Sequence, residues 1–171
     1  MDERLLRLFR RQQASGFADL REAHAFVTLP ISESLLNDLL AEWLPTSLPI
    51  KDLHVAPQAT DRFAVRGRLG SSALLPPLKL TLAIDRQPEF PDSPILVLRL
   101  EATGLLSLAG PALRLMNALP AGVRVEHDRI YVDLRALAAL RGLQSYLELV
   151  RELRVNALDG KLIVSVRASV D

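Results

Sequence analysis

Between residues 62 and 101 apolar and polar side chains alternate with a period of two, in three successive runs. Phe63, Val65, Gly67 and Leu69 alternate with Arg62, Ala64, Arg66 and Arg68. Leu78, Leu80, Leu82 and Ile84 alternate with Lys79, Thr81, Ala83 and Asp85. Leu96, Leu98 and Leu100 alternate with Val97, Arg99 and Glu101. Successive side chains of a strand point to opposite faces, so each run reads as a strand with one apolar and one solvated face. Short linkers rich in Gly, Ser, Pro and Asp join the runs. The segment therefore reads as an antiparallel meander, with residues 50–57 as a weaker fourth strand.

Two further hairpins are legible downstream. Folding residues 123–134 about His127-Asp128 sets Val125 against Ile130, Val123 against Val132, and Glu126 against Arg129. The first two pairs are apolar and the third matches charge. The last hairpin turns at Asp159-Gly160, a type I′ signal. It sets Leu153 with Val166, Val155 with Val164, and Ala157 with Leu162, all on one face, as a single register requires. A shorter strand, residues 24–29, ends at Pro30.

Helical periodicity marks four other segments. In residues 2–13, at about 100° per residue, Leu5, Leu6, Leu8 and Phe9 fill one arc and Arg4, Arg7, Arg10 and Arg11 the opposite one. After Pro30, Ser32 is placed to cap a helix whose Leu35, Leu36, Leu39, Leu40, Trp43 and Leu44 form a wide apolar face, ended by Pro45. Residues 111–119 start with a well-placed proline and stop at Pro120. Leu134, Leu137, Leu140, Leu143, Leu147 and Val150 mark a last helix, with Gly142 positioned to kink or split it. Strands joined by hairpins, with helices between them, predict an α+β fold. The expected architecture is a curved antiparallel sheet of meander and hairpins wrapped around Leu-rich helices. Residues 1–16 would form an N-terminal amphipathic helix and residues 17–171 a single α+β domain.

The chemistry available is narrow. The chain has no cysteine, and its three histidines, His24, His54 and His127, fall in three different elements without metal-ligand spacing. No nucleophile elbow, phosphate-binding loop or dinucleotide fingerprint occurs. No enzyme, cofactor or metal centre is therefore expected. A net charge of +1 argues against nucleic acid, and the stripe of Arg62, Arg66 and Arg68 reads as a solvated strand face. The N-terminus lacks the apolar core of a secretory signal, and no run of apolar residues is long enough to span a bilayer. With Met1 as the natural start, this predicts a cytoplasmic protein, peripheral to membrane where it touches one.

What remains is aliphatic surface. Thirty-six of the 171 residues are leucine and only eight are aromatic. Such an interior either packs solid or leaves a slot suited to an acyl chain, which needs burial without hydrogen bonds. The N-terminal helix fits an anionic lipid surface, or a partner, or its own domain.

The strand that runs into V-T-L-P-I-S-E-S-L-L-N-D-L-L resembles the opening of bacterial tubular lipid-binding (TULIP-like) domains. There a strand enters a helix of pattern hydrophobic-S-E-x-x-(I/L)-N-x-x-L, and a four-strand meander, a short helix and hairpins follow. The residues that carry the resemblance are Val27, Leu29, Ile31, Ser32, Glu33, Leu35, Leu36, Asn37, Leu39 and Leu40. It covers residues 23–170 and implies a bent sheet around helices with a lipid-binding groove. The expected function is thus non-catalytic binding of a lipid or other long aliphatic ligand. Leu36, Leu40, Trp43, Leu80, Leu82, Leu98, Leu100, Leu113 and Met116 would line the groove. Arg4, Leu5, Arg7, Leu8, Phe9 and Arg11 would meet an anionic membrane or a partner. The alternative is an assembly module that binds a protein partner, or forms a homo-oligomer, through the N-terminal helix or a sheet edge.

Overall fold

The computed structural model describes residues 7, 11–12, 14–15, 17–44, 50–69, 78–101 and 119–170. Strand β1 (His24–Ser32) leads directly into helix α1 (Glu33–Trp43). The meander follows as β2 (Ile50–Gln58), β3 (Arg62–Leu69), β4 (Leu78–Arg86) and β5 (Ile95–Leu100). Then come β6 (Val123–Glu126), β7 (Arg129–Asp133), α2 (Leu134–Leu140), α3 (Gln144–Leu147), β8 (Val150–Leu158) and β9 (Lys161–Ser169). All strand pairs are antiparallel and the sheet curls, so the fold is α+β with a curved antiparallel sheet. Register irregularities between Lys51 and His54, and between Ile84 and Arg86, help to bend it.

The strands divide into two sheets. One has the order β2-β3-β4-β5-β7-β6 and the other β1-β9-β8. The hairpin registers are those the side chains predict: Val125 opposite Ile130, Glu126 opposite Arg129, and Leu153, Val155 and Ala157 opposite Val166, Val164 and Leu162. The pairing of β1 with β9, which brings the two ends of the domain together, has no signature in either strand alone.

Apolar residues of period two on β3, β4 and β5 meet the tip of the β8–β9 hairpin. Phe63, Val65, Leu82 and Leu100 are buried with Ala157, which is only 1% exposed. Leu53, Val55, Leu80, Ile84, Leu98, Ile130 and Leu162 pack around them, so both sheets share one core. Each large side chain fully buried here stabilises by about 1.5–3 kcal/mol.

Three hydrogen bonds, two of them to aspartate side chains, fix the hairpin tip against the β2–β3 turn. The Asp61 carboxylate accepts from Ala157 N–H at 2.9 Å, Asp159 accepts from Ala59 N–H at 2.8 Å, and Gly160 N–H donates to Pro57 O at 3.0 Å. That docking corrects one expectation. Only Gly160 has positive φ in the turn, whereas type I′ needs it at both central residues. Asp159 instead takes the conformation that lets its side chain reach Ala59.

A second correction concerns β1. Pro30 does not end β1, because an edge strand tolerates a proline whose missing N–H would face outward. Gly142, at φ 67°, splits the last helix into α2 and α3, as its position predicts, while Val150, expected at the end of that helix, begins β8 instead. The helix expected at 111–119, with Leu113 and Met116, lies outside the described residues. So does most of the N-terminal helix, including Arg4, Leu5, Leu8 and Phe9. Arg7, Arg11, Gln12 and Ala14 are helical, and Arg7 and Arg11 are exposed. Just after them Phe17 is buried, its ring 5.8 Å from that of Tyr146, which anchors the chain to the body at this point.

Candidate functional site

Helix α1 is turned by its polar corner. Ser32 caps it, accepting from Leu35 N–H at 3.3 Å. Asn37 then spans the outer edge of β2: Nδ2 donates to Val55 O at 2.9 Å and Oδ1 accepts from Val55 N–H at 2.8 Å. One turn earlier Glu33 meets His54, with Oε1 and Nε2 2.9 Å apart. Glu33, Leu36, Asn37 and Leu40 recur at helical spacing and are the half-buried side. The apolar arc of Leu35, Leu36, Leu39, Leu40, Trp43 and Leu44 overlaps that side at Leu36 and Leu40, with Leu35 and Trp43 on its exposed part. With Glu33 and Asn37 gripping β2, Leu35 and Trp43 stay exposed, Leu39 is half-buried, and none of the eleven residues of α1 is buried.

The end of α1 is held by Arg141. This residue, in the turn between α2 and α3, donates from Nη2 to Glu42 O and Trp43 O, each at 3.3 Å. Its guanidinium lies 5.4 Å from the centre of the Trp43 ring. The same stretch exposes Leu140, Leu143 and Tyr146.

Beside α1, the three-stranded sheet has one wholly aliphatic face. Ala25, Val27, Leu29 and Ile31 of β1 stand opposite Ala168, Val166, Val164 and Leu162 of β9. Those in turn stand opposite Val150, Leu153, Val155 and Ala157 of β8. At Ala157 and Leu162 this face enters the core. Towards β1 it opens, with Val27 45% and Leu29 49% exposed; on α1, Leu35 and Trp43 are 47% and 48% exposed. The reverse face is polar, with Thr28, Ser165, Arg167, Arg154 and Glu152, and carries Phe26.

Of the residues expected to line a groove, Leu80, Leu82, Leu98 and Leu100 come together on the inner face of the six-stranded sheet, packed with Phe63 and Val65. Leu36 and Leu40 lie half-buried on α1, and Trp43 stands at its exposed end. Recesses bounded by described residues lie elsewhere. One of about 150 Å³ is lined by Phe90, Pro91, Arg135 and Leu147, one of about 170 Å³ by Val123, Arg124 and Tyr131, and one of about 280 Å³ by Arg86, Val97 and Arg129. These three are below the roughly 300–1,000 Å³ of a typical small-molecule pocket. Val27 and Leu29 were not among the expected lining residues. Their apolar character was visible, but their place on an open face depends on the β1–β9 pairing.

The polar groups follow structural roles. Arg62 bonds Glu101 at 3.0 Å and Arg68 bonds Asp52, so two of the three arginines of the β3 stripe are ion-paired. Among the described residues no three His, Asp or Glu side chains group to hold a metal ion, and no helix is long and apolar enough to cross a membrane. No family model, curated protein or solved structure matches the chain.

Proposed function

We propose that the protein binds a lipid or other long aliphatic ligand, without catalysis, over the open apolar surface of β1 and α1. The observation that carries this reading is a run of twenty consecutive residues, nine in β1 and eleven in α1, in which none is buried. Val27, Leu29, Leu35, Leu39 and Trp43 lie in that run. Exposed apolar area is unfavourable by about 25 cal/mol per Å², so a persistent opening of this kind marks a surface that something covers. The same run carries the resemblance to tubular lipid-binding domains. An acyl chain suits it, because the sheet face offers methyl groups and no polar side chain. Leu36 and Leu40 would support the ligand from the half-buried side of α1, and Trp43, with Arg141 on its ring, would mark the end where a headgroup emerges. Exposed Arg7 and Arg11 add positive charge for an anionic headgroup or membrane surface.

The test is native mass spectrometry of the purified protein, followed by organic extraction. The reading predicts adducts of acyl-lipid mass that the extract identifies. A clean mass of the bare chain, with nothing extractable and no uptake from added fatty acid, contradicts it.

A further inference from the structure

Each sheet has two edges, and three of the four are closed to further pairing by different devices. At the β2 edge, Asn37 occupies the N–H and C=O of Val55. At the β8 edge, Gln87 takes both groups of Val155, donating to the carbonyl at 2.7 Å and accepting from the N–H at 2.9 Å. Asp61 does the same for Ala157, through its backbone N–H at 3.3 Å and its carboxylate at 2.9 Å. The β6 edge is only four residues long and carries Arg124 and Glu126. Short, charged or covered edges are the usual protection against strand addition.

The β1 edge is neither short, charged nor covered, and its one blocking residue, Pro30, stands near its end. It runs for nine residues, His24–Ser32, in regular register with β9, without a bulge and without Lys, Arg, Asp or Glu. Phe26 on it is 68% exposed. The hydrogen-bonding phase can be read from its two ends. Glu33 N–H donates to Gly160 O, and Val170 N–H donates to Ala23 O. Odd-numbered residues therefore bond β9, and His24, Phe26 and Thr28 turn their N–H and C=O groups outward, together with the carbonyl of Pro30. Among the described residues nothing pairs with them.

We infer that β1 is a dimerisation edge: two copies of the chain join β1 to β1 antiparallel, with the two-fold axis at Phe26. Pro30 selects that register. An axis at Thr28 would set Phe26 against the missing N–H of Pro30, whereas an axis at Phe26 pairs His24 with the partner's Thr28 and loses no bond. A second copy fits because the pairing is isologous, opposes no like charges, and joins two chains of net charge only +1. An axis perpendicular to the sheet also keeps faces aligned. Ala25 and Val27 of one copy meet the partner's Val27 and Ala25, and two half-open aliphatic faces become one continuous surface across six strands. This association goes beyond ligand binding and stands without it.

Sedimentation and cross-linking test it. The wild-type chain is expected at twice its 18.9 kDa mass. Phe26→Lys, which sets two ammonium groups together on the axis, is expected at the monomer mass with an unchanged far-ultraviolet circular dichroism spectrum. The chain has no cysteine, so single cysteines report the register directly. Phe26→Cys should cross-link to itself on mild oxidation, since partners in a hydrogen-bonded pair lie about 5.5 Å apart at Cα, within disulfide range. Thr28→Cys, two residues from the axis, should not. A monomeric wild type, a dimer indifferent to Phe26→Lys, or cross-linking at position 28 rather than 26 would overturn the inference.

Discussion

Gln87 gives Val155 both hydrogen bonds that a neighbouring strand would otherwise supply: Nε2 donates to the carbonyl at 2.7 Å and Oε1 accepts from the N–H at 2.9 Å. Gln87 follows β4 and Val155 lies in the middle of β8, so one side chain fastens the two sheets while closing an edge. Asn37 repeats the arrangement on Val55. The amide is suited to this because it carries a donor and an acceptor side by side, as a backbone unit does.

Replacing Gln87 tests that assignment. Gln87→Ala leaves two part-buried backbone groups without partners and should lower stability by about 1–3 kcal/mol. Gln87→Glu should also destabilise, because a carboxylate can accept from Val155 N–H but turns its second oxygen on the Val155 carbonyl. Urea unfolding followed by circular dichroism checks both. Midpoints equal to wild type would show that the pair carries no weight.

These contacts also mark where the sequence stops being legible. Period-two runs place β3, β4 and β5, and side-chain matching sets the registers of both hairpins, because those signals lie within a few residues of each other. Three kinds of information were not local. The pairing of β1 with β9 joins residues more than a hundred positions apart, and neither strand states its partner. The division into two sheets depends on Gln87 and Asp61 occupying β8, and neither side chain differs in sequence from an ordinary loop or strand-end residue. The orientation of α1 depends on Asn37 and Glu33 outcompeting the leucine row for the β2 edge. Leu36, Leu40 and Trp43 could be named from periodicity alone, but their exposure could not.

Arg141 should be the link between α1 and the α2–α3 turn. Arg141→Ala removes two hydrogen bonds to the last carbonyls of α1 and the cation over Trp43, an interaction worth about 0.5–1 kcal/mol at an exposed site. Trp43 is the sole tryptophan, so its emission reports the change without labelling. A shift in emission is expected, with a small loss of stability. Arg141→Lys, which cannot stack as a plane, should restore only part of it. An emission spectrum unchanged in Arg141→Ala would place the guanidinium away from the ring.

Glu152 should titrate below the ordinary carboxylate range. The hydrogen bond from Arg154 is the largest cause, opposed by partial desolvation and aided by Arg167 across the ladder. A depressed folded-state pKa means that the unfolded chain takes up its proton first as pH falls. The contribution to stability is therefore present at neutral pH and disappears in acid, as pH drops through the lowered value. Carboxyl-carbon NMR titration should show the low midpoint in the wild type and a return towards the ordinary range in Arg154→Ala. Identical midpoints in the two proteins would contradict the assignment.

The proposed aliphatic site on β1 and α1 is tested most directly by titration with a fluorescent fatty acid. Wild type should give saturable binding that unlabelled fatty acid reverses. The double variant Leu35→Ser, Trp43→Ser should lose most of it while unfolding near the wild-type midpoint, since both side chains are about half exposed and neither belongs to the core. Absence of saturable binding by the wild type, or undiminished binding by the folded double variant, would rule out this surface as the ligand site.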